Sequence, residues 1–100
     1  MADSGIINLF TNQTTIATSE SVKSSGFATL RMSGTIVGGS LNIEGDFGDG
    51  EWQPFTANNL NQTLTVPGIV SLQPLKNGML IRVRLVGVGG GTDVTVDIWV

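Results

Sequence analysis

Acidic residues that could carry chemistry are concentrated in the stretch "EGDFGDGEWQPF", residues 44–55. Asp46, Asp49 and Glu51 lie among glycines there, and carboxylates that converge in a loop can bind a hard cation such as Ca²⁺. Their order does not follow an EF-hand, and a calcium site needs six or more oxygen ligands. The residues therefore favour a turn whose acids lie in water, with a metal site at Asp46, Asp49 and Glu51 as the alternative.

Asp49 and Glu51 could also serve glycoside hydrolysis, which uses paired carboxylates. Such enzymes need a cleft lined by aromatic side chains, and this chain has four Phe, two Trp and no Tyr. It also has no cysteine and no histidine, which removes thiol nucleophiles, the Ser-His-Asp triad and the common zinc sites. We therefore expect no catalytic residue, no cofactor and no enzymatic activity.

The charge and hydropathy patterns restrict the partners. A net charge of −3 with only five basic residues lacks the basic surface that nucleic acid requires. No apolar run approaches the ~20 residues of a membrane span, and "MADSGIINLF" lacks the positive segment of a signal peptide. We expect a protein made in a cytoplasm, with neither a nucleic-acid partner nor a membrane partner.

Alternation of apolar and polar residues is the dominant pattern, and it predicts about seven or eight strands in one domain. Gly- and Asn-rich turns between the strands indicate an all-β protein, either an antiparallel β-sandwich or a small jelly roll. Residues 1–26 lack clean alternation and are interpreted as an edge strand or an arm that reaches a neighbouring subunit. Residues 27–100 form the predicted sandwich core.

The alternation also assigns faces to individual side chains. In "SLNIEGDF" it places Leu41, Ile43 and Phe47 in the core, and Glu44 and Asp46 in water. The same reasoning places apolar residues of three other strands inward, namely Ala28, Leu30, Met32 and Ile36; Met79, Ile81, Val83 and Leu85; and Val94, Val96, Ile98 and Val100.

Two glycine-rich segments predict hairpins. Gly38-Gly39 would join "FATLRMSGTIV" to "SLNIEGDF", and "GVGGGTD" would join "LIRVRLV" to "DVTVDIWV". Depending on its register, the second turn would set Asp97 opposite Arg82 or Arg84, as an exposed ion pair worth about 0.2–1 kcal/mol.

The two tryptophans receive different interpretations. Trp52 directly follows the acidic turn and is predicted to cover an end of the core, together with Phe47. Trp99 lies on the outward face of the last predicted strand, beside Val86 and Leu80. Because aromatic residues are enriched at interfaces, Trp99 is predicted to contact another protein surface.

Two segments carry a family resemblance: "LNIEGDFGDGEWQPF" and "LTVPGIVSLQPLKNGMLIRVRLVGVGGGTDVTVDIWV". They resemble small β-sandwich proteins encoded among the head genes of tailed bacteriophages. The shared features are an acidic glycine turn followed by Trp ("GDGEW"), an arginine-bearing strand ("LIRVRL") and a closing hairpin ("GGGTDVTV"). The resemblance covers roughly residues 27–100.

The resemblance implies a virion structural protein, namely a capsid decoration or cement protein that stabilises the head lattice. Its partners would be the major capsid protein and copies of itself, as a homotrimer on the capsid surface. A carbohydrate- or calcium-binding module of a tail or head fibre, with its site at residues 46–51, is the alternative. The candidate contact residues are Ile6, Ile7, Leu9, Phe10, Arg82, Arg84 and Trp99.

Overall fold

The computed structural model describes residues 6–24, 26, 28–57, 60–61, 63–72 and 78–100. They form twelve β-strands: β1 (Ile6–Gln13), β2 (Ala17–Thr18), β3 (Val22–Lys23), β4 (Ala28–Thr35), β5 (Ser40–Asp46), β6 (Gln53–Pro54), β7 (Thr56–Ala57), β8 (Leu60–Asn61), β9 (Thr63–Leu64), β10 (Gly68–Leu72), β11 (Leu80–Val86) and β12 (Asp93–Trp99). In this described part of the chain, no helix is long and apolar enough to cross a membrane.

The strands pair antiparallel in two main sheets. Sheet A has the order β1-β12-β4-β10. Sheet B has the order β2-β11-β5-β6, with β3 also pairing with β11 and β9 with β5, and β7 and β8 pair separately. The predicted all-β sandwich is thereby confirmed. The two sheets rest mainly on the six longer strands, because the other six are two residues long each.

The core lies between the inner faces of the two sheets. Leu30 and Val96 of sheet A and Ile43 and Val83 of sheet B are at most 1% exposed, and they belong to one hydrophobic cluster. Fully burying a side chain of this size stabilises the fold by about 1.5–3 kcal/mol. The inward positions predicted from alternation are therefore confirmed for these strands.

Both predicted hairpins are wrong, because the strands they would join lie in different sheets. β4 pairs with β12 and β10, whereas β5 pairs with β11, β6 and β9. The segment at Gly38-Gly39 thus carries the chain from sheet A to sheet B, and "GVGGGTD" carries it back from β11 to β12. The two crossings touch, since a Cβ on Gly39 would clash with the carbonyl oxygen of Val86 and with the backbone of Gly87 and Val88. Glycine is needed there for this close approach as well as for its φ of +62°.

The end of β5 also departs from the prediction. Phe47 is 77% exposed rather than part of the core, and Asp46 is buried. The strand ends at Asp46, so the alternation does not continue to Phe47. The last core-facing position of β5 is Gly45, where a Cβ would meet the side chains of Met79 and Phe55.

The N-terminal segment contributes β1, which lies at the edge of sheet A beside β12. Its register shifts twice: Asn8 pairs with Asp97 but Phe10 pairs with Val96, and a second shift follows before Gln13. Such bulges re-aim side chains, and Phe10 is turned into the core, where it is 6% exposed. Phe27, the first residue of the predicted core region, lies outside the described residues.

Candidate functional site

The outer face of sheet A carries an exposed apolar cluster. Ile6 on β1 pairs with Trp99 on β12, and Ile69 projects from β10 on the same face. These three side chains are 61%, 54% and 67% exposed. With Thr29, Arg31, Asp97 and Ile98, they line a shallow depression of about 170 Å³. We call Ile6, Ile69 and Trp99 the tryptophan patch.

A polar pair borders the tryptophan patch. Arg31 Nη2 lies 2.9 Å from Asp97 Oδ2, and Asn8 donates its amide N–H to Asp97 Oδ1 at 3.0 Å. The Asn8 bond is the main reason that the pKa of Asp97 lies below its usual range; Arg31 adds to this effect, and partial burial opposes it. The patch is therefore bordered by a fixed carboxylate and by an arginine side chain that is 60% exposed.

The outer face of sheet B carries an arginine cluster, which we define as Glu44, Trp52, Arg82 and Arg84. Arg82 Nε lies 2.8 Å from Glu44 Oε1, and Arg84 Nη1 lies 3.2 Å from Glu44 Oε2. The guanidinium carbon of Arg82 stands 4.2 Å above the ring centre of Trp52. These contacts correct two predictions: neither arginine pairs with Asp97, and Trp52 covers the outer face of sheet B instead of an end of the core.

The charged and aromatic groups of the arginine cluster mainly contact one another. Glu44 is 8% exposed, and each of its carboxylate oxygens accepts a charged hydrogen bond. Trp52 is half-buried, and its ring is occupied by Arg82. We conclude that these side chains mainly connect β5, β11 and the segment before β6.

The acidic turn uses its first carboxylate as a structural group. Asp46 Oδ1 accepts backbone N–H groups from Gly48 at 2.7 Å, Asp49 at 3.1 Å and Gly50 at 3.2 Å. These bonds, that of Gly48 above all, hold the pKa of Asp46 below its usual value against the opposing effect of burial. Asp49 in turn accepts the N–H of Glu51.

Within the described ranges, no three acidic side chains are grouped so that they could hold a metal ion. Oδ1 of Asp46 accepts three backbone hydrogen bonds, so this oxygen is engaged within the turn itself. The geometry of the turn therefore favours the structural interpretation of Asp46, Asp49 and Glu51.

The predicted contact residues do not lie on one surface. Ile6 and Trp99 meet on the outer face of sheet A, whereas Arg82 and Arg84 lie on the opposite sheet. Ile7 pairs with Ile98 and is 37% exposed. Leu9 and Phe10 pack against the core and do not belong to an exposed surface.

Sequence reasoning missed Ile69 and Glu44 as members of these two faces. Ile69 lies in the nearly continuous apolar run "GIVSL", where alternation is weak, although Ser71 two residues later shares its exposure. Glu44 was predicted to face water, but its two arginine partners lie 38 and 40 residues further along the chain. The predicted hairpin had assigned those arginines to Asp97.

No protein-family model, curated protein or solved structure matches this chain.

Proposed function

We propose that this protein is a non-enzymatic virion structural protein, a capsid decoration or cement protein that binds the major capsid protein and further copies of itself. The observation that supports a binding role is the tryptophan patch. Exposed apolar side chains grouped on one face beside polar groups are typical of protein interaction sites. The resemblance to phage head proteins supplies the identity of the partner.

The composition of the patch suits an anchor for binding. Trp99 lies at its centre with Ile6 on the neighbouring strand, and central tryptophans are frequent hot spots of protein interfaces. Burying an isoleucine fully contributes about 1.5–3 kcal/mol before the costs of association are subtracted. Arg31 and Asp97 at the border would give the contact its orientation, as rim charges do at other interfaces.

The proposed mechanism is stabilisation of the capsid lattice. A protein that binds across capsomer boundaries only in the assembled shell stabilises that shell, because subunits must first lose the bound protein to separate. A stable contact of this kind buries about 1,200–2,000 Å² in total. Each patch of the expected homotrimer would bury only part of this area. Several patches that bind one capsid face together would reach it.

Occupancy of capsids tests the proposal. Expanded capsids assembled from the major capsid protein that the proposal names as the partner would be incubated with the wild type, Trp99→Ser or Phe47→Ser, and pelleted. Phe47→Ser is the matched control, since it also removes an exposed aromatic side chain but lies away from the patch. We expect Trp99→Ser to bind at least tenfold more weakly and Phe47→Ser to bind like the wild type.

Full occupancy by Trp99→Ser would contradict the role of the patch, and failure of the wild type to bind would contradict the capsid assignment. Light scattering tests the homotrimer separately. A mass of three chains of 10.5 kDa supports it, and a monomer before and after capsid binding contradicts it.

A further inference from the structure

Strand β10 forms the second edge of sheet A. Among the described strands it pairs only with β4, through five consecutive residue pairs from Gly68 to Leu72 without a register shift. In an antiparallel strand, alternate residues direct their N–H and C=O groups to opposite sides. One side of β10 is used by β4, and the groups on its other side form a template for a further strand.

The two edges of sheet A differ in how well they accept a strand. β1 is interrupted by two register shifts, and Asn12 within it has a φ of +48°. Bulges of this kind protect an edge from pairing. β10 has a regular register and the sequence "GIVSL", which contains neither charge nor proline. Charge, proline and bulges, three common devices against edge pairing, are thus absent from the five residues of β10.

The sequence of β10 suits pairing with itself. In an antiparallel pair centred on Val70, Ile69 of one copy would lie opposite Ser71 of the second copy. Both residues are exposed and share the outer face of sheet A, so the pairing would keep outer side chains with outer side chains. The inward-facing Leu72 would lie opposite Gly68, a large residue against a small one. The contact obeys a two-fold axis, which is the commonest symmetry of protein dimers.

We propose that two copies of this chain associate through their β10 edges, so that two four-stranded sheets become one eight-stranded sheet. The tryptophan patches of both copies then lie on the same face. The opposite edge of each sheet A remains free of this contact, so further copies can join by other surfaces. The inference does not rest on the proposed function, since it needs only the chain itself.

Two oppositely charged double variants test this pairing. In Ile69→Lys/Ser71→Lys each introduced lysine would lie opposite a lysine of the second copy. In Ile69→Glu/Ser71→Glu carboxylates would lie opposite carboxylates, so like charges would repel in both variants. Ser33→Lys/Thr35→Lys is the matched control, because it adds the same charge to exposed positions of the same face, but on the part of β4 that pairs with β12 and lies beyond the end of β10.

Sedimentation velocity over a concentration series gives the readout. We expect the wild type and the control to show an even number of chains at high concentration: two if β10 pairing acts alone, and six if it joins two of the proposed trimers. Each charged variant should associate at least tenfold more weakly, and an equal mixture of the two should associate again. A wild type that holds one or three chains at every concentration overturns the inference, as does a mixture that stays dissociated.

Cysteine cross-linking tests the register independently. The chain has no cysteine, so Ile69→Cys and Ser71→Cys each introduce the only thiol. Under mild oxidation the mixture should form the mixed disulfide several-fold faster than either variant forms a disulfide with itself, because only residues 69 and 71 lie directly opposite. Equal rates for all three pairs would contradict β10 pairing and point to contact between patches instead.

Discussion

The outer faces of the two sheets contain similar residue types in opposite arrangements. On sheet B, Trp52 lies under Arg82, and Glu44 accepts hydrogen bonds from Arg82 and Arg84. On sheet A, Trp99 is 54% exposed beside Ile6, and Ile69 lies on the same face beyond β4. The comparison indicates that the first face stabilises the fold, whereas the second is available for a partner.

The difference follows from where each tryptophan lies in the chain. Trp99 is within a strand, so its side chain stands away from the sheet. Trp52 lies in the segment between the acidic turn and β6, where the backbone can direct its ring along the sheet surface and under a neighbouring arginine. Trp52 therefore packs against Arg82, whereas the side chain of Trp99 is exposed to solvent.

The largest effect is expected from breaking the arginine cluster. Glu44→Ala leaves Arg82 and Arg84 without their shared carboxylate, and charged hydrogen bonds of a nearly buried group are worth about 1.5–3 kcal/mol. We expect the free energy of unfolding, measured by urea denaturation, to fall by about 2 kcal/mol.

Arg31→Ala is the matched change on sheet A, where the arginine is 60% exposed, and about 0.5 kcal/mol is expected there. Equal losses in the two variants would remove the proposed distinction between the faces.

An intermediate effect is expected from the pH dependence of sheet A. The pKa of Asp97 is lowered in the folded protein from its ordinary value of 3.8. Its contribution to stability is therefore present above about pH 4 and is lost as the pH falls through the lower folded pKa. Asp97→Asn should be less stable than the wild type at pH 7, and this difference should shrink on acidification.

Urea denaturation at several pH values between 2 and 7 measures this difference. Arg31→Gln keeps the carboxylate and its Asn8 bond, so it should give a pH profile between those of the wild type and Asp97→Asn. A constant difference between wild type and Asp97→Asn at every pH would contradict the assigned cause.

The smallest effect on stability is expected for Trp99→Ser, whose side chain contacts mainly solvent on its outer side. Its free energy of unfolding should stay within about 0.5 kcal/mol of the wild type. Trp52→Ser should lose about 1 kcal/mol, because it removes the contact with Arg82. Thermal and urea unfolding of both variants measure these losses. A larger loss for Trp99→Ser than for Trp52→Ser would contradict the assignment of the two faces.

Alternation predicted the inner and outer faces well because a strand has a two-residue period wherever it lies. Leu30, Val83 and Val96 were assigned to the core in this way and are fully buried. Periodicity does not report which strand lies alongside, so β4 and β5 were joined as a hairpin although they belong to opposite sheets. Glycine-rich turns occur both in hairpins and in connections between two sheets, and only the pairing of the strands distinguishes the two.

The candidate site was predicted less completely than the fold. Trp99 and Ile6 were identified by residue type, but their meeting depends on the pairing of β1 with β12 across the length of the chain. Phe10 was predicted to be a contact residue, but it is buried. A bulge in β1, which no sequence pattern reveals, turns its side chain inward. Long-range register therefore determines the site, and local patterns do not encode it.

The two crossings between the sheets have a consequence for synthesis. β12 lies between β1 and β4, and it is the last of the twelve strands to leave the ribosome. Until residues 93–99 are made, β4–β10 is the only pair of sheet A that can form, and the apolar faces of β1 and β4 lack their neighbour. Chains dominated by such non-local pairs fold slowly. Sheet A therefore closes only once β12 has left the ribosome, and the nascent chain must keep its unpaired strands from aggregating until then.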